Sequence, residues 1–365
     1  MAITREDVLR ALGEVQEPDL GKDLVTLNMI EDIRIDGLAV SFTVILTTPA
    51  CPLKEMIEKA CVNAIRMLVD RNAEVKVNMT SRIISNRKDN RAVLPGVKNI
   101  IVVGSGKGGV GKSTVAVNLA LGLAREGAAV GLLDADIHGP SIPIMLGIRD
   151  ERPKMLDVEG KGMIVPIEVH GIKAMSIGLL IDEKQAVIWR GPQTSSALRQ
   201  FISDVAWGEL DYLVVDLPPG TGDVQLTMVQ TVPVTGAVIV STPQAVAAAD
   251  ARKAITMFRQ PQINVPVLGI VENMAFFTPA ELPDNKYYIF GKGGARQMSE
   301  QFDVPFLGEV PLVQSIREGG DKGLPAMVGD DEVSKAAFLS IAERVAQQVS
   351  IRNANLAPTK VVHVG

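Results

Sequence analysis

The segment GKGGVGKST, residues 106–114, sets the architecture of most of this 365-residue chain. It follows the apolar run IIVV at 100–103 and precedes a helical pattern that begins at Lys112. Glycine, four residues, then glycine, lysine and serine, placed between a strand and a helix, is the pattern of a loop that wraps phosphate groups. We therefore predict a strand, a phosphate-binding loop and a helix in this order.

Each residue of the loop has a predicted part in holding ATP. Glycines let the backbone close around the phosphates, and the start of the helix adds partial positive charge. Lys112 is expected to contact the β- and γ-phosphates, and the Ser113 hydroxyl to bind Mg²⁺. The alternative, an unliganded glycine-rich turn, is disfavoured by the complete pattern. The predicted nucleotide-binding residues are Gly106, Lys107, Gly108, Gly109, Val110, Gly111, Lys112, Ser113 and Thr114.

Two acidic segments follow apolar runs further along the chain. Asp134 and Asp136 end the run at 129–136, and Asp216 ends the run at 212–216. Because parallel strands bring their carboxyl ends to one edge of a sheet, these carboxylates should meet the phosphate loop. We predict that Asp134 and Asp216 hold Mg²⁺ and that Asp136 orients or deprotonates the attacking water. A turn or helix-cap role is the alternative for each aspartate.

Residues 1–85 are predicted to form a small α+β domain. Thr4 and Asp7 resemble a helix cap, Asp36-Gly37 is typical of a tight hairpin turn, and Pro52 favours the start of a helix. The predicted elements are a helix over about 4–14, strands over 30–35 and 38–46, a helix after Pro52, and a strand over 74–79.

The rest of the chain has a different pattern. Residues 86–97 are polar, basic and interrupted by Pro95-Gly96, which predicts a linker. Over 98–350, short apolar runs alternate with helical stretches, which predicts a doubly wound, mainly parallel α/β sheet covered on both faces. Residues 351–365 are predicted to be a short polar tail that frays.

Composition restricts the functions that this chain can have. Its net charge of −5 gives no electrostatic footprint for nucleic acid. Charges at Arg5, Glu6 and Asp7 interrupt any apolar signal segment, and the apolar runs are far shorter than the roughly 20 residues of a membrane span. Two cysteines cannot form a disulfide scaffold. We therefore predict a cytoplasmic protein that binds neither nucleic acid nor membrane.

The two cysteines have different predicted environments. Cys51 precedes Pro52, a favoured first helical residue, so a helix N-terminus is expected to lower the pKa of its thiol and make it reactive. Cys61 shares one helical stripe with Ile57 and Ile65, which favours a place in the core. Cys51 is therefore the better candidate ligand.

Several segments resemble a known family. The loop GKGGVGKS, with its additional Lys107, resembles the deviant Walker A loop of the division-site and partition ATPases. Residues 17–25 (EPDLGKDLV) and 46–52 (LTTPACP) resemble the MIP18-like domain of cluster-assembly proteins. Five further segments resemble one branch of these ATPases, the Mrp/ApbC iron–sulfur cluster carriers. They are DADIHGPSIP (134–143), RGPQTS (190–195), DLPPGTGD (216–223), VENM (271–274) and YYIFGKGG (287–294).

The resemblance implies a slow ATPase that acts as a homodimer and transfers iron–sulfur clusters to apo client proteins. It implies that Lys107 completes the partner's nucleotide site and that Asp136 is the switch aspartate of hydrolysis. It also implies that Asn273 reads adenine. Lys107, Lys112 and Asp136 are thus the predicted catalytic residues.

One departure from the family pattern concerns the cluster. Carriers of this branch usually have a C-x-x-C between VENM and FGKGG, but residues 275–288 read AFFTPAELPDNKYY, without cysteine. Cys51 is then the candidate iron–sulfur ligand, since such clusters require thiolates. Two alternatives stay open: a nucleotide-gated adaptor that holds no cluster, and a membrane-positioning ATPase like the division-site proteins.

Overall fold

The computed structural model describes residues 3–87, 93–158, 160–180, 191–279, 281–282 and 284–362. Its contacts divide the chain into two compact units. The smaller unit runs to Ile84 and takes in Ser350–Leu356, and the larger unit takes in Ser85–Val349 and the segment from Ala357 onward. Arg190 of the RGPQTS segment and parts of the predicted linker, tail and 275–288 segment lie outside the described residues.

The smaller unit is an α+β fold, as predicted. Thr4 caps the first helix, since its hydroxyl accepts from the Asp7 N–H at 3.2 Å and the Asp7 carboxylate accepts from the Thr4 N–H at 3.3 Å. The core collects buried side chains such as Phe42, Ile57 and Ile65. Its elements are α1 (Arg5–Leu12), β1 (Gln16–Glu17), β2 (Lys22–Asp23), β3 (Ile30–Asp36), β4 (Ala39–Leu46), α2 (Lys54–Leu68) and β5 (Glu74–Ser81).

Strands β3 and β4 form the predicted antiparallel hairpin, and β5 then pairs with β4 in parallel. The parallel pairing requires a crossover, which α2 provides between β4 and β5.

The larger unit alternates strands and helices, which confirms the predicted doubly wound class. Its first elements are β6 (Val97–Gly104), α3 (Lys112–Arg125), β7 (Val130–Asp134), α4 (Ile142–Met145), β8 (Met155–Val158), β9 (Lys161–Ile164), β10 (Ile167–Val169), β11 (Ile172–Ser176) and α5 (Gly191–Ser203). The later elements are β12 (Leu210–Asp216), α6 (Asp223–Thr231), β13 (Gly236–Ser241), α7 (Ala245–Arg259), β14 (Val267–Glu272), α8 (Gly294–Phe302), β15 (Phe306–Glu309), α9 (Gln314–Asp321) and α10 (Glu332–Asn355).

One eight-stranded sheet organises this unit, in the order β10-β11-β7-β12-β6-β13-β14-β15. All neighbouring strands are parallel except the edge strand β10, which runs antiparallel to β11. The central strands β7 and β13 are buried at every position, because helices cover both faces of the sheet. The carboxyl ends of β6, β7 and β12 consequently lie side by side.

The end of the chain differs from the prediction of a frayed polar tail over 351–365. Helix α10 continues to Asn355, and Arg352 is buried despite its charge. The Asn353 side chain donates to the Ile84 carbonyl at 3.1 Å, and further on the Val362 N–H donates to the Val229 carbonyl at 3.0 Å. Local composition does not encode these long-range contacts, so the predicted tail was wrong over 351–355, where α10 continues.

The predicted linker also makes specific contacts where it is described. The buried Arg87 guanidinium donates to the carbonyls of Val93, Leu94 and Val97. Among the helices of the described ranges, none is long and apolar enough to cross a membrane.

Candidate nucleotide-binding site

The loop between β6 and α3 is held in a shape that requires glycine. Gly109 and Gly111 have φ values of 80° and 79°, in the left-handed region that other residues rarely adopt. A Cβ on Gly106 would lie 2.0 Å from the backbone carbon of Asp250, so the loop also runs tightly against α7. Gly111 caps α3 without a side-chain hydrogen bond, which leaves the first N–H groups of the helix for a phosphate.

Sheet register brings the predicted acidic residues to this loop. In β12, Asp216 pairs with Asp134 of β7 on one side and with Val103 of β6 on the other. The Lys112 ammonium lies 2.6 Å from Asp216 Oδ1 and 3.9 Å from Asp136 Oδ2, and it donates to the Ser113 hydroxyl at 3.2 Å. Lys112, Ser113, Asp136 and Asp216 therefore form one cluster at the carboxyl edge of the sheet.

Asp216 is the most deeply buried carboxylate of the cluster. Burial raises its pKa, and the neighbouring Lys112 and Ser113 act in the opposite direction. Its Oδ2 atom is buried and makes no hydrogen bond with any residue that the structure describes. A carboxylate oxygen left in this way next to the Ser113 hydroxyl fits a water-linked Mg²⁺ site, because both are hard oxygen ligands.

Asp134 has its oxygens occupied by the protein. Oδ1 accepts from the Asp136 N–H at 3.1 Å, and Oδ2 accepts from the Ser176 hydroxyl at 3.0 Å and the Ile142 N–H at 3.4 Å. Burial and, second, the charge of Asp216 raise the pKa of Asp134 to about 8. In this arrangement Asp134 holds Asp136 in place, and its predicted contact with Mg²⁺ stays a prediction.

Ser176 is a site residue that the sequence analysis missed. Ser176 is the last residue of β11 and pairs in register with Asp134 of the neighbouring strand β7. Its hydroxyl therefore reaches the Asp134 carboxylate. No local pattern marks it, since the pairing of β11 with β7 joins residues more than 40 positions apart.

A mainly apolar cavity of about 370 Å³ lies beside the loop. Thr114 and Asn273, both predicted to bind nucleotide, line it together with Met145, Leu312 and Ile316. Apolar walls with few polar groups are suited to a planar organic ring. The Asn273 side chain is buried and donates to the Val110 carbonyl at 2.8 Å.

Lys107 does not join this cluster. Its side chain is exposed, while its carbonyl accepts from the Ser105 hydroxyl at 3.0 Å. Its predicted role across a dimer interface stays a prediction.

The structure revises the argument for Cys51. Helix α2 begins at Lys54 rather than Pro52, because Pro52 and Leu53 form a turn closed by the Lys54 N–H on the Cys51 carbonyl at 3.3 Å. Cys51 therefore lies before this turn and not at the helix N-terminus, and it is half-buried. Its predicted ligand role must rest on accessibility instead.

Cys61 lies in the core, as predicted. It is fully buried, and burial raises the pKa of its thiol to about 12. In the described part of the chain, no three His, Cys, Asp or Glu side chains are grouped so that they could hold a metal ion.

A glycine-rich loop between a strand and a helix, with its lysine against carboxylates of neighbouring strands, defines a P-loop nucleotide-binding protein. Residues 96–346 match the family profile described as a NUBPL iron-transfer P-loop NTPase, and residues 5–78 match that of an iron–sulfur cluster assembly protein. The chain therefore belongs to the iron-transfer P-loop NTPase family. The family resemblance predicted from the sequence is confirmed.

Relatives match over nearly the whole chain. A protein of Synechocystis named iron–sulfur cluster carrier protein is 51% identical over 351 residues, covering 96% of this chain and 99% of its own. One of Deinococcus radiodurans with the same name is 48% identical over 357 residues, covering 97% and 98%.

Solved structures match the larger part of the chain. An Archaeoglobus fulgidus nucleotide-binding protein in complex with ADP is 41% identical, with a TM-score of 0.58 over 66% of this chain and 93% of its own. The cell division ATPase MinD of Pyrococcus furiosus is 21% identical, with a TM-score of 0.51 over 68% and 98%, and shows the fold alone.

Proposed function

We propose that this protein binds and hydrolyses ATP with Mg²⁺, and that it carries iron–sulfur clusters in the cytoplasm and transfers them to apo client proteins. The observation that carries the proposal is the cluster of Lys112, Ser113, Asp136 and Asp216 on the phosphate loop. The relatives of Synechocystis and Deinococcus radiodurans, both named iron–sulfur cluster carrier protein, support the second half of it.

In this proposal, Lys112 exchanges its carboxylate partner for phosphate. Its ammonium, 2.6 Å from Asp216 Oδ1, turns to the β- and γ-phosphates when ATP enters the loop. When bound, Mg²⁺ would neutralise charge on these phosphates. Ser113 and the second oxygen of Asp216 would hold the ion. Asp136, whose backbone N–H is fixed by Asp134, orients the attacking water.

The ATPase acts as a homodimer in this proposal. The exposed Lys107 reaches the nucleotide of a second copy, where a further positive charge stabilises the charge that develops on the γ-phosphate. Hydrolysis then depends on association of two chains.

The cluster is the cargo, and Cys51 is its proposed ligand in the chain. Cys61 is unsuited to that role, because a thiolate is needed and its pKa of about 12 keeps the thiol protonated. Clusters of this kind are held by four thiolates, so two Cys51 residues of a dimer need additional ligands from a client protein or a small thiol.

Anaerobic reconstitution with iron and sulfide tests this assignment. We expect wild type and Cys61→Ala to bind iron and Cys51→Ala to lose it, as measured by iron per chain and by visible absorption. Equal iron on wild type and Cys51→Ala would contradict the role of Cys51.

A second candidate function is a nucleotide-gated adaptor that docks clients without holding a cluster. It is favoured by the same cysteine observation, since only the half-buried Cys51 is placed to offer a thiolate. Wild type that binds ATP but no iron would support the adaptor function.

A third candidate function is membrane positioning, and only the fold shared with MinD supports it. Sedimentation of the protein with liposomes tests this function.

A further inference from the structure

Asn273 is fixed from two directions at the edge of the phosphate loop. It directly follows β14, and its backbone N–H donates to the Ser241 carbonyl of β13 at 2.8 Å. Its side-chain Nδ2 donates to the Val110 carbonyl, also at 2.8 Å, and only 5% of the residue is exposed. The sheet thus holds a hydrogen-bond donor rigidly against the loop.

The accepting carbonyl lies in the most constrained part of the loop. Val110 stands between Gly109 and Gly111, the two residues with positive φ. In a planar trans peptide, the C=O of one residue and the N–H of the next point in opposite directions. Holding the Val110 carbonyl toward Asn273 therefore turns the Gly111 N–H the opposite way, away from the sheet contact.

The Asn273 side chain is packed tightly against the backbone of Gly111. A Cβ built on Gly111 would lie 2.0 Å from Asn273 Nδ2 and 3.3 Å from its Cγ. The carboxamide therefore presses against the loop backbone, and Gly111 is required both for its φ and for the room that Asn273 occupies.

We propose that Asn273 is a positioning residue of the phosphate cradle, which holds the Val110 peptide so that the Gly111 N–H faces the bound phosphates. This inference rests on the proposed binding of ATP in the loop. It differs from the role implied by family resemblance, because a contact to the loop acts on any polyphosphate whereas a contact to adenine acts on one base. The two roles therefore predict different ligand selectivity.

The test is calorimetric titration of the 365-residue chain with ATP, GTP and inorganic tripolyphosphate at fixed Mg²⁺. Asn273→Leu keeps the branched shape of the side chain but removes the donor without adding a charge, and Asn273→Ser keeps a shorter donor in case the first variant folds poorly. Asn99→Ala is the matched control, since this buried asparagine donates to the Asp211 carbonyl at 3.2 Å near the other end of β6.

We expect Asn273→Leu to weaken binding of all three ligands by a similar factor of about tenfold, the loss that corresponds to one hydrogen bond that fixes the loop. The ratio of ATP to GTP affinity should stay near that of wild type, Asn273→Ser should recover part of the loss, and Asn99→Ala should bind as wild type does. A general loss of stability would instead lower the fraction of chains that bind, which the calorimetric stoichiometry reports separately from the affinity.

A loss confined to ATP, with GTP and tripolyphosphate unchanged, would overturn the inference in favour of base reading alone. Unchanged affinity for all three ligands would overturn it as well. Wild type that binds none of them would refute the proposed ATP binding itself, and this inference with it, so the two failures are distinguishable.

Discussion

At the scale of single residues, Gly109 and Gly111 share one backbone conformation in two different surroundings. Their φ values are 80° and 79°, yet a Cβ on Gly109 would meet nothing within 4 Å, whereas one on Gly111 would meet Asn273 at 2.0 Å. Alanine at Gly109 therefore adds only left-handed strain, about 1–2 kcal/mol. Alanine at Gly111 adds the same strain and a collision.

This difference predicts distinct effects of two chemically identical substitutions. Gly111→Ala should weaken ATP binding at least about tenfold more than Gly109→Ala, because the displaced Asn273 also releases the Val110 carbonyl. Titration calorimetry on both variants measures the difference. The double variant Gly111→Ala/Asn273→Ala removes the collision, and we expect it to bind more tightly than Gly111→Ala. Equal affinities of the two single variants would show that the collision is relieved at no cost.

Local pattern was sufficient for part of this site and insufficient for the rest. The proximity of Lys112, Asp136 and Asp216 follows from strand ends that meet at one sheet edge, which motif and periodicity indicate. The contacts of Ser176 with Asp134 and of Asn273 with Val110 depend on the register between distant strands. Strand register is fixed by packing of the whole sheet, so no local sequence pattern predicts these two contacts.

At the scale of elements, α2 shows how a helix sets the chemistry of a cysteine. Its apolar stripe buries Ile57, Cys61 and Ile65 against the sheet of the smaller unit. Burial disfavours the thiolate, so the pKa of Cys61 rises from 9.0 to about 12. Between these pH values the folded chain keeps a proton that the unfolded chain loses, so stability falls as pH rises through this window.

We therefore expect Cys61 to resist alkylation in the native protein. On the Cys51→Ala background, iodoacetamide at pH 9 should leave the folded chain unmodified and should modify it fully in guanidinium chloride, as mass spectrometry measures. Native Cys51→Ala that reacts as fast as the unfolded chain would contradict the buried, protonated state of Cys61.

At the scale of the whole molecule, composition and periodicity predicted both folds, and long-range contacts decided the details. The doubly wound sheet follows from alternating apolar runs and helices. The antiparallel edge strand β10 and the assignment of Ser350–Leu356 to the smaller unit do not follow from them. The assignment of Ser350–Leu356 depends on contacts with residues distant in sequence, which local patterns do not encode. Strand β10 pairs with β11 in a local hairpin that turns at His170 and Gly171, and the sequence analysis did not predict it.

If two chains associate through Lys107, ATP turnover should depend on this side chain and on protein concentration. Lys107→Ala should lower ATP turnover at least about tenfold, by analogy with a charge supplied in trans, while ATP affinity stays unchanged because the side chain lies outside its own loop cluster. Turnover per wild-type chain should also rise with protein concentration. Lys98→Ala, whose lysine pairs with Asp211 near the other end of β6, is the control. Turnover that is independent of concentration and unaffected by Lys107→Ala would argue for a monomeric ATPase.

The last residue of β14 and its successor serve different parts of the fold. Glu272 accepts from the Ala295 N–H at 2.7 Å and the Gly293 N–H at 3.3 Å, and so caps α8, whereas Asn273 supports the phosphate loop. A register shift of β14 against β15, between Ile270 and Val271, comes just before them.

The register shift sets which face of the sheet each following residue of β14 occupies. Because consecutive residues of a strand face opposite sides, deletion of one residue there would move Asn273 to the position of Glu272 and Met274 to the position of Asn273. An amide would then cap the helix and an apolar thioether would face the phosphate loop, so the hydrogen-bond donor at the loop depends on the length of the strand that precedes it.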